Sequence, residues 1–266
     1  MRLKDKVIII TGSTTGIGKA IALRCVEEGA RVIIHGLEQA WGNQIMKDLP
    51  KEKAALHIED LTNEGTCSRL VNLALKSFGK IDAIVNNAAK VVSSNIDNTN
   101  LILFRQVLEI NTLIPYSLIQ TALPHLIRSK GCILNIGSVN AYSGEPNLLA
   151  YSVSKGALMT LTRNLGDSLH RDHGVRVNQI NPGWVLTENE AKRKHDHGLA
   201  EDWYKDIPSV YAPSGRIIHP SEIAAAAIYW LADESGPISG QVVDLEQHPF
   251  IGRNPPKDST TIPIRK

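Results

Sequence analysis

The 266-residue sequence is poor in cysteine: Cys25, Cys67 and Cys132 are the only three, and they stand far apart. No pair has the short spacing of a zinc site and no disulfide framework is visible, so reduced, buried thiols in a cytoplasmic protein are expected. An excess of either charge is also lacking. Lys plus Arg number 29 against 27 for Asp plus Glu, which gives no electrostatic reason to expect nucleic acid or an anionic membrane as a partner. Nowhere does an apolar run approach the ~18 residues needed to cross a bilayer. The charged start, Met1 to Lys6, precedes only the short run Val7 to Ile10. That run ends in Thr11-Gly12 without a small-residue cleavage site, so it reads as a buried first strand rather than an export signal. Internal repeats are missing, and His195-x-His197 is too small a ligand set to count as a metal site. With 42% hydrophobic and 21% charged residues, the chain is an ordinary globular one, long enough for one large α/β domain or two small ones.

What is present is a regular alternation. Short apolar runs at Val7–Ile10, Arg31–His35, Ala54–Ile58, Ile81–Val85, Cys132–Ile136, Val175–Ile180 and Gln241–Leu245 read as strands separated by helical stretches. This pattern predicts one doubly wound α/β domain with a parallel sheet of seven strands and helices on both faces. The first strand runs into Thr11-Gly-Ser-Thr-Thr-Gly-Ile-Gly18 and then a helix. In such a loop Gly12 permits the sharp turn, Gly16 lets backbone approach a pyrophosphate, and Gly18 allows close helix packing, with the helix N-terminus facing the anion. Gly36-Leu37 ends the second strand, where an acidic residue would bind ribose hydroxyls and an arginine a 2′-phosphate; neither is there. Asp60 either accepts a hydrogen bond from an adenine amino group or caps the helix expected over Thr62–Ser77. A long helical region is expected from about Thr99 to Arg128, divided or kinked by Pro115 and Pro124. Asn111 within it must find partners, as a structural link or as part of a proton-handling network.

Tyr151 and Lys155 stand four residues apart near the start of a helix, which puts ammonium and phenol on one face. Free Tyr titrates near ~10 and Lys near ~10.4, and a fixed cation favours phenolate, so the lysine is expected to lower the Tyr151 value. Ser138 places a hydroxyl at the carboxyl end of the fifth strand, the end where open parallel sheets bind ligands. Asn140, Glu145 and Trp184 are candidate substrate contacts, two polar partners and a flat apolar face suited to a hydroxylated ring. The polar segment Val185 to His219 is too long for a plain connection and reads as a substrate lid. Residues 1–245 form the expected domain. The remainder, 246–266, holds four prolines and reads as an extended tail.

Taken together, Thr11-Gly12-x3-Gly16-Ile17-Gly18, Asn86-Asn87-Ala88, Asn111, Ser138, Tyr151-x3-Lys155 and Pro182-Gly183-x3-Thr187 resemble the classical short-chain dehydrogenase/reductases over about residues 3 to 245. The resemblance implies a Rossmann-like fold and hydride transfer between a nicotinamide cofactor and a secondary alcohol or ketone. It implies that Tyr151 is the acid-base, Ser138 holds the reacting oxygen, Lys155 binds the nicotinamide ribose, and Asn111 positions water in a proton path involving Lys155. The implied cofactor surface comprises Gly12, Ser13, Thr14, Thr15, Gly16, Ile17, Gly18, Gly36, Leu37, Asp60, Leu61, Asn87, Ala88, Ala89, Tyr151, Lys155, Pro182, Gly183, Val185 and Thr187. A homotetramer paired through helices around Leu101–Arg128 and Tyr151–His170 is implied as well; the altered Asp244–His248 ending and the proline-rich tail add the expectation that residues after Glu246 reach a neighbouring subunit.

Departures from the family's pattern sharpen the expectations. Ala89 stands where glycine is common, and Asp244-Leu-Glu-Gln-His248 replaces the usual Asp-Gly-Gly. The absence of a basic residue at Thr14, Thr15, Gly36 or Leu37 favours NAD over NADP. The lid mixes charges with Trp203 and Tyr204, which points to a sugar, polyol or hydroxy acid. The alternatives are a carrier-bound acyl group or a bulky apolar ketone and, outside catalysis, a nucleotide-sensing protein with the same fold.

Overall fold

A computed structural model, describing residues 1–251, contains one parallel sheet in the order β3-β2-β1-β4-β5-β6-β7. The strands are β1 Val7–Ile10, β2 Arg31–Gly36, β3 Ala54–Ile58, β4 Ala83–Asn86, β5 Cys132–Ile136, β6 Arg176–Pro182 and β7 Val242–Leu245. The helices are α1 Gly16–Glu27, α2 Gln39–Asp48, α3 Thr66–Phe78, α4 Leu101–Leu108, α5 Ile114–Ser129, α6 Asn140–Ser143, α7 Leu149–His173, α8 Glu188–Asp196 and α9 Pro220–Leu231. The seven expected strands and their doubly wound arrangement are all present.

Successive strand side chains point to opposite faces, so a strand covered on both sides must be apolar at every position. In β1, Ile8 and Ile10 join a core with Ile21, Ala22, Ile223 and Ile228 on the α1/α9 face. Val7 and Ile9 join the opposite core with Leu70, Leu118 and Val177. All four β1 side chains are fully buried, each contributing about 1.5–3 kcal/mol from removal of apolar surface from water. Cys25, Cys67 and Cys132 are buried thiols. No helix among the described residues is long and apolar enough to cross a membrane.

Several boundaries differ from the expectation for physical reasons. The long helical region is not divided by its prolines: Pro115 lies in the first turn of α5 and Pro124 inside that continuous helix. The break is a π-helical turn over Glu109–Leu113, a widened turn of the kind frequent at functional sites. β6 continues through Pro182, which pairs with Leu245 and whose carbonyl accepts from Val139 N–H. α3 starts at Thr66, after an αL glycine at Gly65, so Asp60 does not cap it. The Asp60 carboxylate instead accepts from the Thr62 N–H and hydroxyl, both at 2.8 Å.

Candidate active site

Strand order reverses between β1 and β4, and this switch point opens a crevice at the carboxyl ends of the strands. The glycine loop fills one side of it. Gly12 and Gly16 have φ of 60° and 57°, a left-handed conformation that side chains other than glycine adopt at a cost. A Cβ at Gly12 would also stand 2.9 Å from Ala88 Cα, and one at Gly18 would collide with the Gly12 carbonyl and the Asn87 amide. Asn87 braces the loop: its Nδ2 donates to the carbonyls of Thr11 (3.0 Å) and Gly12 (2.9 Å). The Thr11 hydroxyl in turn accepts from the N–H groups of Asn87 (3.0 Å) and Ala88 (3.1 Å). Ser13 is fully buried, its hydroxyl donating to Ile10 O at 2.7 Å, so this side chain holds the loop rather than facing a ligand. Thr14 and Leu61 are buried as well, while Leu37 stands 60% exposed.

His35 lies beneath the loop and was not singled out from sequence. Its Nδ1 accepts from Gly12 N–H at 3.2 Å and its Nε2 lies 2.9 Å from Glu59 O. Burial pushes its pKa down to about 4, and the neutral imidazole with its proton on Nε2 satisfies both contacts. The positive-φ glycines, the N-terminus of α1, which its own cap residue Thr15 leaves uncapped, and the missing side-chain bulk make a cradle that fits a nicotinamide dinucleotide.

On the facing wall, α7 carries Tyr151 and Lys155. The Lys155 ammonium donates to Ile136 O at 2.7 Å and lies 5.7 Å from the Tyr151 ring centroid. Burial lowers its pKa to about 7. The Tyr151 phenol is raised by burial, with the Ser138 hydroxyl pulling it back down. The expected lowering of Tyr151 by the lysine is therefore not found in this geometry: the cation is anchored on a carbonyl, and desolvation dominates both groups. Ser138 is held by its N–H on Asn181 Oδ1 (3.1 Å) while its Oγ accepts from Asn140 N–H (3.1 Å). Asn111, placed by the π-helical turn, is fully buried. Its Oδ1 accepts from Lys90 N–H at 2.7 Å, and its Nδ2 donates to Lys90 O (3.1 Å) and Ser154 Oγ (2.9 Å). Its side chain is thus a structural link, and these bonds do not run to Lys155.

A chain of side chains legible only in three dimensions stiffens this edge. Asn86 donates to Asn135, Asn135 to Thr162, Thr162 to Gln179, Gln179 to Asn181 and Asn181 to Asp244, at 2.7–3.0 Å. Every donor points toward the Asp244 carboxylate, and the chain crosses β4 to β7.

A cavity of about 700 Å³ brings together Ser138, Asn140, Glu145, Tyr151, Lys155, Pro182, Gly183, Trp184, Val185 and Thr187, with Ile17, Asn87 and Ala89 at its cofactor end. Asn111, Gly36, Leu37, Asp60 and Leu61 do not line it. The lid supplies Glu190, Arg193, Lys194 and Tyr211. Arg193 and Glu190 form a two-pronged pair, and Glu190 also accepts from Trp184 Nε1 at 2.8 Å. Trp184 is not a bare platform: Trp203 stacks on it at 5.2 Å and the Lys194 ammonium sits 5.1 Å from its ring. Lys192 turns away to Asp196.

Glu246, His248 and Phe250, which fall in the expected tail, also line the cavity. Glu246 Oε2 accepts from Trp184 N–H at 3.2 Å and lies where a Cβ at Gly183 would stand. Gln247 is bound to the lid through Ser214 (2.6 Å) and the Arg216 carbonyl (2.6 Å). The start of the expected tail therefore closes this chain's own pocket; residues 252–266 lie outside the described residues.

Comparison with known proteins agrees with this geometry. A family model described as Enoyl-(Acyl carrier protein) reductase matches residues 12–246. The chain is 36% identical over 238 residues to L-fucose dehydrogenase of Mus musculus, covering 88% of this chain and 84% of that protein. It is 30% identical over 252 residues to meso-2,3-butanediol dehydrogenase of Serratia marcescens, covering 92% and 95%. The fold matches the crystal structure of 3-ketoacyl-(acyl-carrier-protein) reductase from Brucella melitensis complexed with NADH, with TM-score 0.80, 26% identity and coverage of 91% and 97%. The ordered motifs, the seven-stranded parallel sheet and these matches establish that the chain belongs to the classical short-chain dehydrogenase/reductase family, as an NAD(P)-dependent oxidoreductase acting on CH–OH groups.

Proposed function

We propose that the substrate is a small polyhydroxylated alcohol, a sugar or polyol, oxidised at one secondary carbon with NAD as the preferred cofactor. The observation that carries this reading is the composition of the cavity around Ser138 and Tyr151. Ser138 and Tyr151 face a space walled by the amide of Asn140 and the carboxylates of Glu145, Glu190 and Glu246. Glu190 and Glu246 already hold Arg193 and Trp184, but the Asn140 amide and the Glu145 carboxylate can accept and orient substrate hydroxyl groups, whereas a bulky apolar ketone would exclude water from them without replacing its hydrogen bonds. The names of the relatives, L-fucose dehydrogenase and meso-2,3-butanediol dehydrogenase, support the same class.

When bound, the nicotinamide cofactor supplies the hydride chemistry. In this reading the protein supplies the rest. Ser138 Oγ orients the reacting oxygen, and the Tyr151 hydroxyl takes its proton during oxidation or returns it during reduction. Lys155 binds the ribose hydroxyls, and a negative charge developing on Tyr151 is stabilised by its ammonium. Asn111 sets the position of α7 through Ser154. The loop Gly12–Gly18 carries the pyrophosphate, and the adenosine lies along Gly36, Leu37 and Asp60. No cation stands at Thr14, Thr15, Gly36 or Leu37 to neutralise a 2′-phosphate, which supports NAD.

A second reading has one specific observation in its favour. Arg193 is neutralised by Glu190, but Lys194 lines the cavity with its ammonium over Trp184, a position from which it would meet the carboxylate of a sugar acid. Assembly as a homotetramer is supported by exposed apolar side chains on the expected pairing helices, Ile102 (68%), Leu113 (52%) and Tyr116 (45%). A monomeric mass by light scattering at micromolar concentration would rule it out.

The deciding experiment measures kcat/KM with NAD and NADP across L-fucose and other aldoses, sugar acids, polyols, short hydroxy acids and apolar secondary alcohols. Asn140→Ala and Glu145→Ala are assayed in parallel. Highest efficiency on sugars or polyols with NAD, weakened several-fold in the variants, is expected. Highest efficiency on apolar alcohols would overturn the substrate class, and a clear NADP advantage would overturn the cofactor preference.

A further inference from the structure

The N-terminus of α1 is unusual in how it is satisfied. Thr15 at the cap makes no side-chain bond to the helix, and the first turn holds no acidic residue. The first N–H is taken from a remote part of the chain: Glu188 Oε2 accepts from Gly16 N–H at 3.0 Å. Thr187 lies on the same spot, its Cγ2 3.2 Å from where a Gly16 Cβ would stand. A carboxylate at a helix N-terminus gains from both the free N–H groups and the helix dipole, the two features that make such a terminus a phosphate site.

From this we infer that Glu188 and the pyrophosphate of the cofactor compete for one donor, so that cofactor binding displaces Glu188 and with it repositions α8 over the substrate cavity. The inference rests on the nicotinamide-dinucleotide reading of the glycine loop and adds a residue and a coupling to it. Like charges cannot share the Gly16 N–H: a diphosphate within a few ångströms of the carboxylate is repelled even at the surface, where screening reduces the effect. The mechanical link is short. Glu188 is the first residue of α8, the cap residue Thr187 accepts from Glu190 N–H at 3.1 Å, and Glu190 holds both Trp184 and Arg193 in the cavity wall. Releasing Glu188 therefore frees the turn that positions three cavity side chains. The Lys192–Asp196 pair on the outer face of α8 does not touch the loop and has no such leverage.

ADP-ribose, which carries the pyrophosphate without the nicotinamide, separates this effect from turnover. Titration calorimetry on the full chain compares the unmodified protein with Glu188→Gln, Glu188→Ala and, as a charge control on the same lid, Glu201→Gln. Both Glu188 variants are expected to bind about tenfold more tightly, with the difference shrinking as salt is raised, while Glu201→Gln binds as the unmodified protein does. ADP-ribose is also expected to change tryptophan emission in the unmodified protein, as the Trp184–Trp203 stack shifts, and to change it less in the variants. Glu188→Gln keeps the side-chain length and an acceptor for Gly16 N–H, so it tests the charge even if the alanine variant is poorly folded. Equal or weaker binding by Glu188→Gln overturns the inference alone. Failure of every protein to bind ADP-ribose overturns it together with the nucleotide reading of the loop.

Discussion

The two sides of the cavity are built on opposite principles. On the cofactor side, loop atoms are held by backbone and by buried or half-buried side chains: Asn87 and Thr11 brace the glycine turn, Ser13 ties it to β1, and His35 supports it from below. On the lid side, α8 has no buried residue, and the lid is held by one exposed ion pair, one partly buried ion pair and an aromatic stack beside the helix. Surface pairs contribute little, typically about 0–1 kcal/mol, whereas closely packed backbone tolerates almost no added volume. The contrast teaches that a common cofactor is met by rigid geometry, while the substrate is met by a segment cheap to move and free to vary.

The largest test falls on the seam between the two. Tyr151→Phe is expected to lower turnover at least about a thousandfold, in keeping with the ~10²–10⁴ contribution of a positioned acid-base, while leaving the affinity for NADH and the melting temperature near their original values. Turnover close to normal would remove the phenol from the chemistry. Next comes the acid response of the cofactor side. His35 has its pKa depressed from 6.5 to about 4 by burial, so the unfolded chain binds more protons across that interval and stability must fall as pH drops from 6.5 through 4. The full effect is on the order of 3 kcal/mol, and it should be absent in His35→Gln measured by denaturant titration from pH 7.5 to 4.5. Glu59 and Glu222, both lowered to about 2 by arginine partners, act only below about pH 4.5, and Lys155, lowered to about 7, titrates at the upper end of the window in both proteins alike, so the difference between them isolates His35. The finest test sets one residue from each side against the other. Gly18→Ala, which forces a methyl into the Gly12 carbonyl and Asn87, should cost roughly 1–3 kcal/mol and weaken NADH binding. Lys192→Ala, on the outer face of α8, should stay within about 0.5 kcal/mol. Similar melting temperatures for the two variants would erase the distinction between the halves.

The same contrast decides what could be read from sequence. The fully apolar β1, the glycine loop and Tyr151-x3-Lys155 were legible because the physics that constrains them is local: strand alternation, a positive-φ turn, one helical face. Asn135, Thr162, Gln179 and Asn181 gave no local signal, since each is explained only by a partner on another strand or helix. The π-helical turn at Glu109–Leu113 was hidden behind two prolines that are the usual cause of a break. His35 read as one more strand residue. Its donor and acceptor are 23 and 24 positions away. The roles of Glu190, Glu246 and His248 were missed because a lid and a chain end carry no periodicity by which to orient a side chain.

The close packing of Glu246 on Gly183 couples variation at those two positions. Any side chain at 183 collides with the carboxylate at 246, while a glycine at 246 would lift the restriction and remove the acceptor for the Trp184 N–H at the same stroke. The constraint runs one way: position 183 is locked to glycine for as long as 246 carries its carboxylate, whereas 246 can shrink by itself, as in the family's usual Asp-Gly-Gly ending, at the cost of the acceptor for Trp184 N–H. Glu246 is thus the freer of the two and the one through which this wall of the cavity can be remodelled.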